Sequence, residues 1–211
     1  AEIGGDAFDF LTRDGQTFFY LGDATGHGVP SGLIMMVANT LLSTFVDISK
    51  NTKDILVQTN KYLKPRIQKT MFMTLVMFRW VHATQELFYT GAGHETLIHY
   101  HAATGKCDNI PSGGIALAML ADNEKLLTEK LLKLEQGDFL VTYSDGIVEG
   151  RNPEGELYGI ERLVALVEQE APQAANAEEL FDRISKTVLG FLGEFIQLDD
   201  MSLMVMQKIQ A

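Results

Sequence analysis

Cysteine, tryptophan and proline are all scarce: the 211 residues hold one cysteine, one tryptophan and five prolines. A lone Cys107 excludes an internal disulfide and a cysteine-rich zinc site, and it fits a reducing compartment. We read it as a small core residue in preference to a nucleophile. The prolines are scattered, no Gly/Ser-rich or Pro-rich linker breaks the chain, and no repeat of about 20 to 50 residues is visible. A chain of this length buries about 70% of its unfolded surface, so one domain is expected over residues 1–211.

Basic residues are also in deficit, 17 Lys and Arg against 28 Asp and Glu, for a net charge of −11. Without a basic patch the chain has no nonspecific attraction to nucleic acid or to an anionic membrane. A protein partner or a cation suits it better. No uninterrupted apolar run of about 18 residues exists, so no membrane span is expected. No signal peptide is recognisable either, and a cytoplasmic location follows as an expectation. The chain opens at "AEIGGD", inside an ordered-looking segment and without an initiator methionine. We therefore expect it to be the C-terminal fragment of a larger signalling protein.

"FDFLTRDGQTFFYLGD" reads as two strands joined by Asp14-Gly15, a favoured pair for a two-residue type I′ turn. If Arg13 pairs with Gln16, Asp6 falls opposite Asp23, with Cβ atoms about 4.5–5.5 Å apart. Two carboxylates would then repel at close range. After Pro30, the residues Leu33, Met36, Val37, Thr40, Leu41, Thr44, Phe45 and Ile48 follow helical spacing with one buried face. A second helix is expected over Thr52 to Leu63, ending before Pro65. "MFMTLVMFRWV" suits a strand covered on both faces, with "ELFYTG" and "LIHYH" as its hairpin partners. Further strands are expected at "EKLLKL", "DFLVTYS" and "MSLMVMQ", and late helices at "IERLVALVEQ" and "AEELFDRISKTVLGFLGEF". Hairpins interrupted by helix pairs predict an α+β layered fold.

The glycine-rich stretch "LGDATGHGVP" is not a nucleotide P-loop, because no lysine lies between Arg13 and Lys50. It is not a dinucleotide fingerprint either: "GHGVPSG" has one residue too many before its last glycine, and Pro30 removes an amide donor. His94 and His99 are five apart, which excludes the zinc-protease helix motif. Ser31 is offset from the place a nucleophile elbow requires. What remains is a set of acids at strand ends: Asp6, Asp9, Asp23, Asp145 and the pair Asp199-Asp200. If the strands ending at Asp145 and starting after Asp199 run antiparallel side by side, a second carboxylate cluster forms. Clustered carboxylates ask for cations, and oxygen ligands favour Mg²⁺, Mn²⁺ or Ca²⁺ over zinc. Capping of turns is the simpler alternative for any one of them.

"IGGDAFDF", "GDATGHGVPSG", "FYTGAGHETLIHY", "TYSDGIVEGRNPEGELYG" and "LDDMSLMVM" resemble, in that order, the motifs of PPM (type 2C) metal-dependent serine/threonine protein phosphatases. The bacterial branch of stage II sporulation protein E and the sigma-factor regulatory phosphatases is the nearest resemblance. It implies a four-layer α-β-β-α sandwich of two mainly antiparallel sheets flanked by helices, here with the N-terminal strand truncated. It also implies two Mn²⁺ or Mg²⁺ ions. By motif, Asp23 would bridge both ions with the Ala24 carbonyl as an extra ligand. Asp6 would serve one ion, and Asp145 and Asp199 the other. Asp9 and Asp200 fall beside these, where direct ligation and the holding of a water are equal alternatives. His27 is either a general acid toward the leaving serine oxygen or a loop histidine bonding backbone. Arg151 is a weak candidate for binding phosphate. The implied reaction is hydrolysis of phosphoserine or phosphothreonine on a phosphorylated regulatory protein, such as an anti-sigma-factor antagonist. An upstream receiver or sensor domain belongs to the same picture, and a homodimer is compatible with it. A phosphatase-like adaptor that docks a sigma factor is the alternative.

Overall fold

The computed structural model describes residues 4–193 and 199–209. Ile3 of the first motif and the predicted end of the last helix, residues 194–195, lie outside the described residues. Contacts divide the chain into two compact units. The first comprises residues 1–94 and 112–133, and the second 95–111 and 134–211. Each is an antiparallel sheet carrying its own helices, the α+β class expected.

In the first unit, β1 (Asp6–Arg13) and β2 (Gln16–Ala24) form the predicted hairpin. Both turn residues have positive φ, 48° at Asp14 and 73° at Gly15, as a type I′ turn demands. The register follows from that turn: Arg13 pairs with Gln16, and Asp6 with Asp23. β3 (Met73–Val81), β4 (Glu86–Ala92) and β7 (Lys130–Leu132) complete a five-stranded sheet in the order β1-β2-β3-β4-β7.

One face of this sheet is covered by α1 (Val29–Val46) and α2 (Thr52–Leu63), with Tyr20, Leu42, Ile55, Leu75 and Met77 in a common core. The bounds of α2 are those predicted, and Asn51 caps it by accepting the Asp54 amide at 2.8 Å. The buried face of α1 is not the one predicted. Leu33, Met36 and Ile48 are exposed, whereas Ile34, Ala38, Leu42, Phe45 and Val46 are buried. The helix is apolar nearly all round, so periodicity alone does not single out a stripe. Its buried side includes the small residues Ser31, Gly32 and Ala38. By length and composition α1 would suffice to cross a membrane, with mean hydropathy 1.6, but its buried stripe belongs to the core.

In the second unit, β5 (Leu97–His101), β6 (Lys106–Ile110), β8 (Phe139–Tyr143) and β9 (Leu203–Gln207) form a sheet in the order β6-β5-β8-β9. The expectation that "LIHYH" pairs with the long apolar strand is corrected here. β5 pairs instead with β6 and β8. After β4 the chain turns at Gly93, whose N–H donates to the Gly113 carbonyl at 2.9 Å and so leaves no hairpin. β6 was not predicted, because an exposed edge strand reading KCDNI has no apolar alternation. The helices are a single turn, α3 (Asp145–Val148), then α4 (Ile160–Glu170) and α5 (Ala177–Leu192). α4 and α5 bury Leu163, Val167, Leu180 and Ile184 together with Ile98, Tyr100, Val141 and Tyr143.

Candidate metal centre

The first carboxylate group follows from strand geometry. Asp6 and Asp23 are directly opposed on β1 and β2, both half-buried, and Asp23 is opposed on its other side by Thr74 of β3. All three side chains stand on the sheet face away from α1 and α2, because Ala7, Tyr20 and Ala24 take the helix face. Thr74 Oγ1 in turn lies 3.0 Å from His94 Nδ1, and His94 is buried. The polar row thus runs Asp6, Asp23, Thr74, His94. Further along the same face it gives way to stacked rings of Phe10, Phe19 and Phe78, with centroids 5.4 and 5.0 Å apart.

Gly5 closes the end of the row. Its carbonyl accepts the Ala24 amide at 3.1 Å. A Cβ added there would stand 2.5 Å from the Ala24 carbonyl oxygen and 3.0 Å from an Asp23 carboxylate oxygen. Only glycine lets the backbone approach both predicted ligands this closely. The loop after Ala24 is pinned by Thr25, whose amide donates to the Phe72 carbonyl at 3.0 Å and whose hydroxyl accepts the Phe72 amide at 2.9 Å. Gly26 and Gly28 then turn with φ of 84° and 79°, and Pro30 enters the first turn of α1. His27 sits exposed at the tip of this loop.

The second group is held by β8 and β9. These strands are antiparallel, with Tyr143 paired to Leu203, so the end of one meets the start of the other as the sequence reading required. Ser144 binds the two segments together. Its amide donates to the Ser202 carbonyl at 3.0 Å, and its hydroxyl accepts the Ser202 amide at 2.9 Å. The same hydroxyl donates to the Asp200 carbonyl at 3.3 Å. A Cβ on Gly146 would lie 2.0 Å from the Asp200 carbonyl oxygen, so this backbone too must be glycine. Asp145 is half-buried and Asp199 exposed. Asp199 Oδ1 accepts the Asp200 amide at 2.9 Å. Glu95, in the same unit, has its carboxyl pushed above the ordinary range, first by burial and then by Glu149.

Not every predicted residue joins these groups. Asp9 is an odd number of residues from Asp6 along β1 and therefore stands on the opposite, helix-facing side, opposed to Tyr20. There it adds to burial in raising the Tyr20 phenol. Arg151 donates from Nη1 to the Gly155 carbonyl at 2.7 Å, the behaviour of a loop-bracing arginine. Thr74 was missed, since the β2–β3 register spans a connection of two helices. The one available sign was His94, whose ring meets the Thr74 hydroxyl.

The donors in both groups are oxygens on half-buried or exposed carboxylates and one carbonyl, held by backbone hydrogen bonds. That set fits hard divalent cations such as Mg²⁺ or Mn²⁺ and not zinc. It fits the fold found by comparison. The chain aligns with the SiaA-PP2C domain of Pseudomonas aeruginosa at a TM-score of 0.82 and 19% identity, covering 97% of this chain and 80% of that one. The RsbU and RsbW domains of Rv1364c from Mycobacterium tuberculosis align at 0.79 and 22% identity, over 98% and 55% of the respective chains. A structure of RsbX in complex with magnesium aligns at 0.67 and 14% identity, over 96% and 86%. The fold is therefore that of PP2C-type phosphatase domains.

The sequence narrows this class further. Residues 13–208 match the family model of Stage II sporulation protein E (SpoIIE), and the chain belongs to that family. It is also 23% identical over 207 residues to phosphoserine phosphatase RsbU of Bacillus subtilis, covering 98% of this chain and 60% of that protein. The chain thus spans less than two thirds of that relative.

Proposed function

We propose that this chain hydrolyses phosphoserine or phosphothreonine on a regulatory protein, using two Mg²⁺ or Mn²⁺ ions. Asp6, Asp23 and the Ala24 carbonyl are the proposed ligands in the first unit, and Asp145 and Asp199 those in the second. The observation that carries this reading is the direct opposition of Asp6 and Asp23 across the β1–β2 hairpin. Like charges directly opposed are unfavourable, and a cation held between the two carboxylates would offset that. Bound ions would supply an activated water and polarise the phosphoryl oxygens.

The chain's own residues do the rest. Gly5 and the Thr25 clamp fix where Asp23 and the Ala24 carbonyl stand, and Ser144 and Gly146 do the same for Asp145 and the Asp199-Asp200 segment. His27, exposed on its loop, is the proposed donor of a proton to the departing serine oxygen. By analogy with RsbU, whose name states phosphoserine hydrolysis, the substrate is a phosphoserine protein, and the resemblance to sigma-factor regulatory phosphatases makes an anti-sigma-factor antagonist our proposed one. An upstream receiver or sensor domain and a cytoplasmic setting belong to the same proposal. One domain over residues 1–211 remains our reading, because the family match runs through both compact units.

Mn²⁺-dependent hydrolysis of an aryl phosphate and of a phosphoserine protein tests this. Asp23→Asn should abolish both, and full activity in that variant would sink the mechanism. A calorimetric Mn²⁺ titration separates enzyme from adaptor: absence of saturable binding favours docking.

A further inference from the structure

Outside the aspartate groups, the second unit gathers two histidines and a carboxylate at one place on its sheet. His99 and His101 are two apart on β5, so their rings share a face, with centroids 4.0 Å apart. Asp138 precedes β8, and the register pairs Tyr100 with Phe139, which brings it alongside His101. His99 Nε2 lies 2.8 Å from Asp138 Oδ2, and His101 Nδ1 lies 3.9 Å from the same oxygen. One ligand atom from each of the three residues lies within 4.8 Å of the others. His99 and Asp138 are buried, while His101 keeps 33% of its side chain exposed, which leaves an entry path.

Asp108 supplies the second observation. It is opposed to His99 on the edge strand β6, and its Oδ2 lies 2.9 Å from His101 Nε2. That contact engages Nε2 with Asp108 and leaves Nδ1 as the ring atom facing the Asp138 carboxylate. A carboxylate that holds the far nitrogen of a histidine is also the usual support of a metal-ligating imidazole. Asp138 is itself fixed: its Oδ1 accepts the Ala102 amide at 2.9 Å, and Oδ2 accepts the Glu135 amide at 3.0 Å.

We propose that His99, His101 and Asp138 form a binding site for a first-row transition ion, zinc foremost, with Asp108 orienting His101. Two imidazoles and one carboxylate suit borderline ions, unlike the all-oxygen donors proposed for Mg²⁺ or Mn²⁺. On binding, His99 takes its other tautomer, its ring proton shifting from Nε2 to Nδ1, so that Nε2 ligates the ion and ties β5 to the start of β8. The site does not depend on the phosphatase reading.

The test uses the whole chain in the Asp23→Asn background, which removes the central ligand of the other proposed centre. Zn²⁺ is titrated against a chromogenic chelator, and Co²⁺ binding is followed by its visible spectrum. One equivalent should bind saturably, raise the thermal midpoint and give a nitrogen-ligated cobalt spectrum. His101→Ala, at a part-exposed position that spares the fold, should weaken Zn²⁺ at least 100-fold. Asp108→Asn should weaken it about tenfold, as for other supports of metal-bound histidine. His82→Ala, on an exposed histidine, should change nothing. Equal affinity and stoichiometry in His101→Ala and its parent would overturn the proposal, as would the absence of saturable Zn²⁺ binding in the parent.

Discussion

The position most tightly constrained by backbone in the second unit is Gly146. A Cβ there would meet the Asp200 carbonyl oxygen at 2.0 Å, its carbon at 3.0 Å and Met201 Cγ at 3.4 Å. The two nearest atoms belong to the main chain, so no side-chain rotation relieves the clash. To restore ordinary contact, the Asp145 turn and the Asp200 segment must separate by about 1.4 Å. Ser144 resists that movement through its three hydrogen bonds to Asp200 and Ser202. Overpacking of this kind costs about 1–3 kcal/mol, and losing the Ser144 bonds adds about 1 kcal/mol for each bond broken. If Asp145 and Asp199 hold an ion as proposed, a displacement near 1 Å there also costs on the order of 100-fold in rate. Gly146→Ala should therefore lose about 2–4 kcal/mol in urea unfolding and about 100-fold in Mn²⁺-dependent turnover of an aryl phosphate. Gly190→Ala is the matched control. It lies exposed in α5 with nothing within 4 Å of the new methyl, and it should gain about 0.5 kcal/mol with turnover unchanged. Wild-type stability and turnover in Gly146→Ala would refute the claim that the two segments are held by contact at this glycine.

Glu129 joins Arg79 of β3 to the start of α2. Its carboxylate takes Arg79 at 2.7 and 3.1 Å and also accepts the Thr52 amide at 2.7 Å. Glu129→Ala leaves a largely buried guanidinium without its partner and should cost about 3 kcal/mol in urea unfolding; a change below about 1 kcal/mol would count against it. Burial first, then Glu168 and Asp108, push the Cys107 thiol up to about 12. At pH 8 the native protein should react with a disulfide reagent at least 100-fold more slowly than the unfolded chain; Cys107 is half-buried against the core of the second unit and not within it as expected, and equal rates would contradict that packing. Glu95 has its folded pKa raised, so the folded state holds that proton more tightly than the unfolded chain does. Stability contributed by the protonated form is present below the unfolded pKa and is lost as pH rises through the folded value. Glu95→Gln should stabilise at neutral pH and give no gain in acid, and a gain independent of pH would argue against burial as the cause.

Legibility in the sequence tracked the distance over which a physical signal acts. The Asp14-Gly15 turn is local, the period of a strand is two, and together they fixed the Asp6–Asp23 opposition before any tertiary contact was known. The α2 bounds were equally local, set by an asparagine cap and a proline. The buried face of α1 was not, because a helix apolar nearly all round carries no phase. β5 was assigned to the wrong sheet for a related reason. A short buried strand has the same composition in either sheet, and the Gly93–Gly113 bond that redirects the chain joins residues far apart in sequence.

The same reasoning explains why the His99, His101 and Asp138 cluster left no trace in the sequence reading while the aspartates did. Each aspartate lies in a motif where glycine or a neighbouring acid marks a backbone under constraint, and those glycines prove to be contact points. The histidines lie on β5, His101 at its last residue, with no such mark, and their carboxylate partners arrive from β6 and from just before β8. One, Asp108, comes through the hairpin β5–β6, whose register a two-residue shift of the turn would change. The other, Asp138, comes through the β5–β8 pairing across more than thirty intervening residues. A site assembled by register is invisible until the sheet order is known. The decisive information is the strand order β6-β5-β8, which puts a carboxylate on either side of a histidine pair.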